Sequence, residues 1–320
     1  MLRKIYFKKI LISLAALFAL FLIYLIPSDN IDKLENIETK IEYIDSKVET
    51  SNIYLVDSYN MVALTNVMAE EQDEELHAKE LIEVLIKGSK NEDRIPSGFK
   101  AIIPSETKIL SLKIENNIIK VDFSKELLNI EQENEEKMIE AITYTLTSID
   151  GIDKVIIYVE GNILNKLPKT NITLPSTLDR KFGINKTYDI TSSKDIQSVT
   201  TYYINKANDK YYYVPVTKYL NDDREKIKIV IDELESTSIF NTNLMSFLNS
   251  NVKLLSVEKI EETLNLNFDE SIYNDLEKRE ILEEVIYTIS LSAEDNYDIK
   301  EVIFNVNNEE IYKSVLKSIE

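Results

Sequence analysis

The alternation of apolar and polar positions divides this chain into a long apolar run, a short amphipathic stretch and two similar series of strands and helices. Residues 10–26 read ILISLAALFALFLIYLI, with Ser13 as the one polar break. As a helix the run covers ~25 Å, close to the hydrocarbon thickness of a bilayer. Arg3, Lys4, Lys8 and Lys9 precede it, and Asp29 and Asp32 follow. Basic flanks stay cytoplasmic, so the rest of the chain is expected outside the cell membrane. The exit reads Tyr24-Leu25-Ile26-Pro27-Ser28, without a small-x-small cleavage site, which favours a retained anchor over a cleaved signal peptide. Residues 1–27 are therefore expected to be a cytoplasmic stub and single-pass signal anchor. Beyond it, Leu34, Ile37, Ile41, Ile44 and Val48 fall at spacings of 3, 4, 3 and 4. That is an a/d seam on a helical stalk over residues 28–52, able either to pair chains into a homo-oligomer or to pack on its own domain. Two heptads are short of what secures a coiled coil.

The remainder repeats itself. Residues 108–123 read KILSLKIENNIIKVDF and residues 253–268 read KLLSVEKIEETLNLNF, so Lys108, Leu110, Ser111 and Phe123 recur as Lys253, Leu255, Ser256 and Phe268. Ile142-Thr143-Tyr144-Thr145-Leu146 matches Val285-Ile286-Tyr287-Thr288-Ile289, and the strand run 155–159 matches 302–306. Offsets of 145, 143 and 147 far exceed a solenoid period and suit a whole small domain.

In the first copy, 53–56 and 62–67 read as a hairpin turned at Ser58-Tyr59-Asn60. Ala78, Leu81, Ile82 and Leu85 make one face of a helix that Gly88 ends. A second hairpin, 109–114 with 118–123, turns at Asn116-Asn117. A helix carrying Met138, Ile142, Thr145, Leu146 and Ile149 leads to an apolar strand at 155–159. The second copy keeps the order: strands 199–204 and 211–216, a helix bearing Ile227, Val230, Ile231 and Leu234, a hairpin 253–257 with 264–268, a helix bearing Leu282, Val285, Ile286 and Ile289, and a strand 302–306. The order ββαββαβ predicts an α+β fold, two helices on one face of a small mixed sheet in each copy. The expected domains are 53–162 and 199–308. Between them, 163–198 is rich in Thr, Ser and Asn, holds Pro168, Pro175 and Gly183, and reads as a linker. Residues 309–320 are expected to form a terminal helix. Sheets of this kind leave an edge strand free to add to a neighbour.

Composition narrows the chemistry. A formal net charge of −19 disfavours nucleic acid as a partner. The absence of cysteine excludes disulfides, thiolate metal sites, thiol nucleophiles and a lipidated N-terminal cysteine. Five glycines in 320 residues form no phosphate-cradling loop, so no nucleotide cofactor is expected. His77 is the single histidine, sits among Glu74, Glu75, Lys79 and Glu80, and reads as a solvated surface residue. With one histidine and no EF-hand pattern, no metal site is expected. Asp122 and Glu126 follow a strand end and are the one acid pair to weigh for a glycosidase, but acids after a strand commonly cap the next turn. No catalytic residue is assigned. Eighteen tyrosines and no tryptophan are the remaining signal. Tyr202, Tyr203, Tyr211, Tyr212 and Tyr213 crowd one hairpin, either as an exposed protein interface or as cross-strand pairs within the sheet.

The stretches Leu81-Ile82-Glu83-Val84-Leu85, Ala101-Ile102-Ile103-Pro104, Lys108-Ile109-Leu110-Ser111-Leu112 and Val121-Asp122-Phe123-Ser124 resemble the GerM domain, the sporulation and spore-germination domain. Tyr144-Thr145-Leu146-Thr147 and 155–161 continue the resemblance, which spans residues 53–308 and is weaker in the second copy, where Asn267 replaces the aspartate. It implies a fold like ring-building motifs and an extracytoplasmic role in spore formation. Family members resemble lipoproteins in their anchoring, and this chain departs from that. Together these readings describe a non-enzymatic, membrane-anchored protein that meets other envelope proteins. The alternative is a peptidoglycan-acting enzyme or a ligand-binding envelope protein.

Overall fold

The computed structural model describes residues 50–236 and 243–315. The expected anchor, and the stalk residues Leu34, Ile37, Ile41, Ile44 and Val48, lie outside the described residues. Among the described residues no helix is long and apolar enough to cross a membrane.

The first copy opens with a hairpin, β1 (Thr50–Asp57) and β2 (Val62–Met68). Asp57 builds its turn: Oδ1 accepts from the N–H of Tyr59 at 2.9 Å and of Met61 at 2.8 Å. Helix α1 (Glu74–Leu85) starts at Asp73, whose carboxylate accepts from the N–H of Glu75 and Leu76. A two-residue strand β3 (Phe99–Lys100) lies along β1. Next come β4 (Ile109–Glu115) and β5 (Ile118–Phe123), turned at Asn116 and Asn117 with φ of 52° and 61°. Two consecutive positive φ values are what a two-residue type I′ turn demands, and asparagine tolerates them. Helix α2 (Glu135–Leu146) then carries the chain to β6 (Lys154–Val159), parallel to β5, and a short β7 (Asn162–Ile163).

The second copy repeats this plan after β8 (Thr187–Asp189): β9 (Ile196–Ala207), β10 (Lys210–Asn221), α3 (Lys226–Glu235), β11 (Leu254–Ile260), β12 (Thr263–Phe268), α4 (Glu283–Asn296), β13 (Glu301–Val306) and β14 (Glu309–Val315). β12 and β13 are parallel, as β5 and β6 are.

The strands do not form one sheet per copy. Each copy keeps a four-stranded sheet, β4-β5-β6-β7 or β11-β12-β13-β14. The two leading hairpins join a shared six-stranded sheet in the order β3-β1-β2-β10-β8, with β9 paired to β10. Helix α2 packs on β1 and β2 and also on β6. That is why all but two residues of α2 are buried, where a one-face helix would leave a polar stripe.

Residues 309–315 correct the expected terminal helix: they form β14, antiparallel to β13. The cause is Asn307-Asn308, with φ of 50° and 68°, the same type I′ chemistry as Asn116-Asn117. The stretch between the copies is not a free tether either. Leu164, Leu167, Leu174, Leu178 and Ile184 are buried in the first copy's core, and Leu178 exchanges two 2.8 Å backbone hydrogen bonds with Val155. The helix equivalence shifts by one turn. The N–H of Tyr54 donates to Thr145 Oγ1 at 3.0 Å in copy one, and that of Tyr202 donates to Ser292 Oγ at 2.8 Å in copy two. Thr145 thus corresponds to Ser292, not Thr288. An amphipathic helix matches itself after about four residues, so its apolar pattern alone does not fix the register.

Candidate functional site: the joint between the copies and the free sheet edges

The tyrosine hairpin is mostly interior. Val199 to Asn205 are buried without a break, so β9 is covered on both faces. Tyr202, Tyr203 and Tyr212 are buried, Tyr213 is half-buried, and Tyr211 alone is exposed, its ring set edge-on to Phe247. As a partner surface the cluster is therefore corrected, because its rings face this chain's own halves. Tyr212 donates to Asp57 Oδ2 at 2.9 Å and packs edge-on to Phe99, both in the first copy. Tyr203 stays within the second copy and donates to Glu233 at 3.2 Å.

Tyr202 makes the more telling contact. Its hydroxyl lies 2.8 Å from that of Tyr54. These two tyrosines occupy the same place in their copies: the first strand of the leading hairpin, with the N–H bonded to a hydroxyl of the copy's second helix. Equivalent residues that touch mark a two-fold relation. The sheet agrees, since the second strands of the two hairpins, β2 and β10, pair antiparallel at Leu64 and Tyr213. The tandem is built like an isologous dimer within one chain.

A charge sits on this joint. Tyr202 donates to Asp295 Oδ2 at 2.9 Å, and Arg180 forms an ion pair with Asp295 Oδ1. Arg180 also reaches both phenol oxygens, at 3.4 Å for Tyr54 and 3.3 Å for Tyr202. Its guanidinium lies over the rings of Tyr144 and Tyr54, 5.1 and 5.6 Å from their centroids. Burial pushes the Tyr54 phenol up to about 12 and raises those of Tyr144 and Tyr202, so all three remain protonated donors. Burial is the largest single influence and works against the Arg180 charge, but Asp295, Tyr54, Tyr202 and Glu294 together outweigh it and hold that pKa above its ordinary value.

Asn185 is the second staple. It accepts from the N–H of Val62 at 2.9 Å and donates to the carbonyls of Val62 at 2.7 Å and Pro215 at 2.8 Å, spanning β2 and β10. Its own N–H donates to Glu140 Oε2 at 3.0 Å. Burial raises the Glu140 carboxyl to about 7, with Lys186 and the Asn185 N–H opposing the shift.

The free edges carry the repeat's most similar residues. In both hairpins the register slips by one residue, between Ile109 and Ser111 and between Leu254 and Ser256. Leu110 and Leu255 are the extra residues of two β-bulges, 49% and 51% exposed, on the outer strands β4 and β11. A bulge twists an edge and limits uncontrolled strand addition.

The acid pair has structural work. Asp122 Oδ1 accepts from Gly161 N–H at 3.0 Å, holding the β6–β7 turn, and Asn267 Oδ1 accepts from Asn308 N–H at 2.8 Å, holding the β13–β14 turn. A neutral amide does the same job in the second copy. A hydrogen bond from Ser124 keeps Glu126 below the ordinary carboxylate range, opposite to what a general acid requires. His77 is half-buried, not freely solvated, with Nε2 3.1 Å from Ser51 Oγ. Among the described residues no group of three or more His, Asp or Glu side chains could hold a metal ion.

Comparison with known proteins supports the duplication. The family named Germane, described as sporulation and spore germination, matches residues 52–165 and again 200–312. The spore germination protein GerM of Bacillus subtilis (strain 168) is 31% identical over 261 residues, 80% of this chain and 70% of that protein. The solved structure of the tandem GerMN domains of the sporulation protein GerM from Bacillus subtilis superposes with a TM-score of 0.74 at 28% identity, covering 82% of this chain and 92% of that one.

Proposed function

Because the chain belongs to the Germane family of sporulation and spore germination proteins, we propose that it is a non-enzymatic assembly piece held on the outer face of the cell membrane by residues 10–26. In this reading it supports a sporulation or envelope complex by contact with other envelope proteins, and the stalk seam at residues 34–48 offers a route to a homo-oligomer. One observation carries the reading: the buried cluster of Tyr54, Tyr202, Arg180 and Asp295 joins one copy to the other. These groups are satisfied by one another across the joint, and Asp122 and Asn267 hold matching turns. What remains for partners is the outside, including the paired bulge leucines.

The absence of cysteine makes a clean test. Leu110→Cys and Leu255→Cys each place one thiol on an outer edge for cross-linking in intact sporulating cells. The expected result is a defined adduct with another envelope protein, in the membrane fraction. Recovery of free protein alone, or in the soluble fraction, would contradict the reading. The enzyme alternative is tested separately by incubating the purified protein with cell wall, where no hydrolysis is expected. Hydrolysis lost in Asp122→Ala or Glu126→Ala would establish it.

A further inference from the structure

A cleft of about 730 Å³ opens between the copies, beside the joint. Its volume is in the range of small-molecule sites, which occur preferentially where domains meet. Glu133, Glu136 and Lys137 line it from the first copy, Tyr188 from the connecting stretch, and Lys218 and Glu233 from the second copy. Most of these charges are satisfied. Lys186 pairs with Glu136 at 2.7 Å, and Lys218 pairs with Glu233 at 2.9 Å and Asp189 at 3.6 Å. Lys137 and Glu133 differ. Among the described residues neither has an opposite charge within 4.0 Å, although both line the same cavity. Lys137 is half-buried, and burial holds its ammonium below the ordinary lysine range, an effect that Glu140, Glu133 and Asp57 oppose and Lys100 reinforces. Those carboxylates act on Lys137 without touching it, and a partly desolvated ammonium gains from an anion in direct contact.

The cleft also has a ring platform. Tyr188 is 67% exposed and stacks on Tyr219, with centroids 5.1 Å apart and planes at 16°. Exposure of a whole aromatic face at a cavity rim leaves room for a second flat group. A phosphate dianion suits the site poorly, because Glu133, Glu136, Glu140 and Glu233 all line it. A ligand with one carboxylate and one ammonium fits Lys137 and Glu133, which influence each other but are each free of a contacting opposite charge among the described residues.

We propose that this cleft binds a zwitterionic ligand, an aromatic amino acid or a short peptide containing one, with Lys137 meeting the carboxylate, Glu133 the ammonium and Tyr188 the ring. The proposal is independent of the assembly role, since an assembly piece without a ligand would leave the cross-linking result unchanged.

The probe is L-phenylalanine, titrated calorimetrically into the purified protein, with phenylalanine amide and N-acetylphenylalanine as analogues that each lack one charge. Saturable binding in the millimolar range or tighter is expected, about tenfold weaker for the amide, as for loss of a charge-assisted hydrogen bond. Lys137→Met should weaken phenylalanine to the level of the amide, Lys137→Arg should restore it, and Tyr188→Ala should weaken all three ligands alike. No saturable binding of phenylalanine up to about 10 mM, or equal binding of phenylalanine and its amide, would overturn the proposal. If Lys137→Met fails to fold, the acid and amide comparison on the unaltered protein decides alone.

Discussion

The two copies agree where they make the fold and differ where they make the joint. Both have the bulge at Leu110 or Leu255, the backbone bond from Tyr54 or Tyr202 to the second helix, and an Asp122 or Asn267 side chain holding the last turn. These are local needs of one module and survive duplication. Asp295 and Arg180 have no counterpart of this kind: one lies on α4, the other on the connecting stretch, and they meet over a pair of tyrosines that are equivalent. Equivalent residues supply the approximate two-fold contact, and residues present in one copy alone fasten it.

The largest expected effect comes from breaking the fastening. Asp295→Ala leaves Arg180 charged and nearly buried, and should cost about 3–5 kcal/mol. Scanning calorimetry should then show the halves melting separately where the unaltered chain gives one transition. Asn185→Ala removes the three side-chain hydrogen bonds, two to Val62 of β2 and one to Pro215 of β10, that bridge these strands. A cost of about 1–3 kcal/mol is expected in chemical denaturation, from the groups left unpaired.

Acidity offers a graded probe. The Glu140 carboxyl is raised from 4.5 to about 7 by burial. Between those values the folded protein binds the proton that the unfolded chain releases, so stability should fall as pH rises through that window and level off above it. Glu140→Gln should remove this part of the pH dependence while keeping an acceptor for the Asn185 N–H. The smallest effect tests the shared parts. Asp122→Asn copies the second copy's solution and should change stability by less than about 0.5 kcal/mol, and Leu110→Lys, at an exposed bulge, should do no more.

Much of this was legible in the chain. The doubled KILS and KLLS segments mark the outer strands, and Asn116-Asn117 and Asn208-Asp209 mark turns through their tolerance of positive φ. Asn307-Asn308 carried the same signal, and reading it would have yielded β14 in place of a helix. The joint was harder. Alternation along a strand says that two faces exist, not that both are covered, so Tyr202 and Tyr212 read as half-exposed. Ile53 to Val56 is an unbroken apolar run, the available sign of a strand buried on both sides, whereas Thr200 and Thr201 interrupt the corresponding run from Val199 to Ile204. Nothing local in Arg180 or Asp295 announces a pair 115 residues apart. In the connecting stretch, Thr, Ser and Asn outnumber five well-spaced apolar residues that pack in the core, so composition hid its burial.

A double-mutant cycle on Tyr54→Phe and Tyr202→Phe, read by reversible unfolding, tests most directly whether the two equivalent tyrosines join the copies. A coupling of about 0.5–3 kcal/mol is the predicted result, as for residues in one hydrogen-bond network. Losses that simply add, to within about 0.3 kcal/mol, would mean that the two hydroxyls do not act together and would contradict the internal two-fold joint.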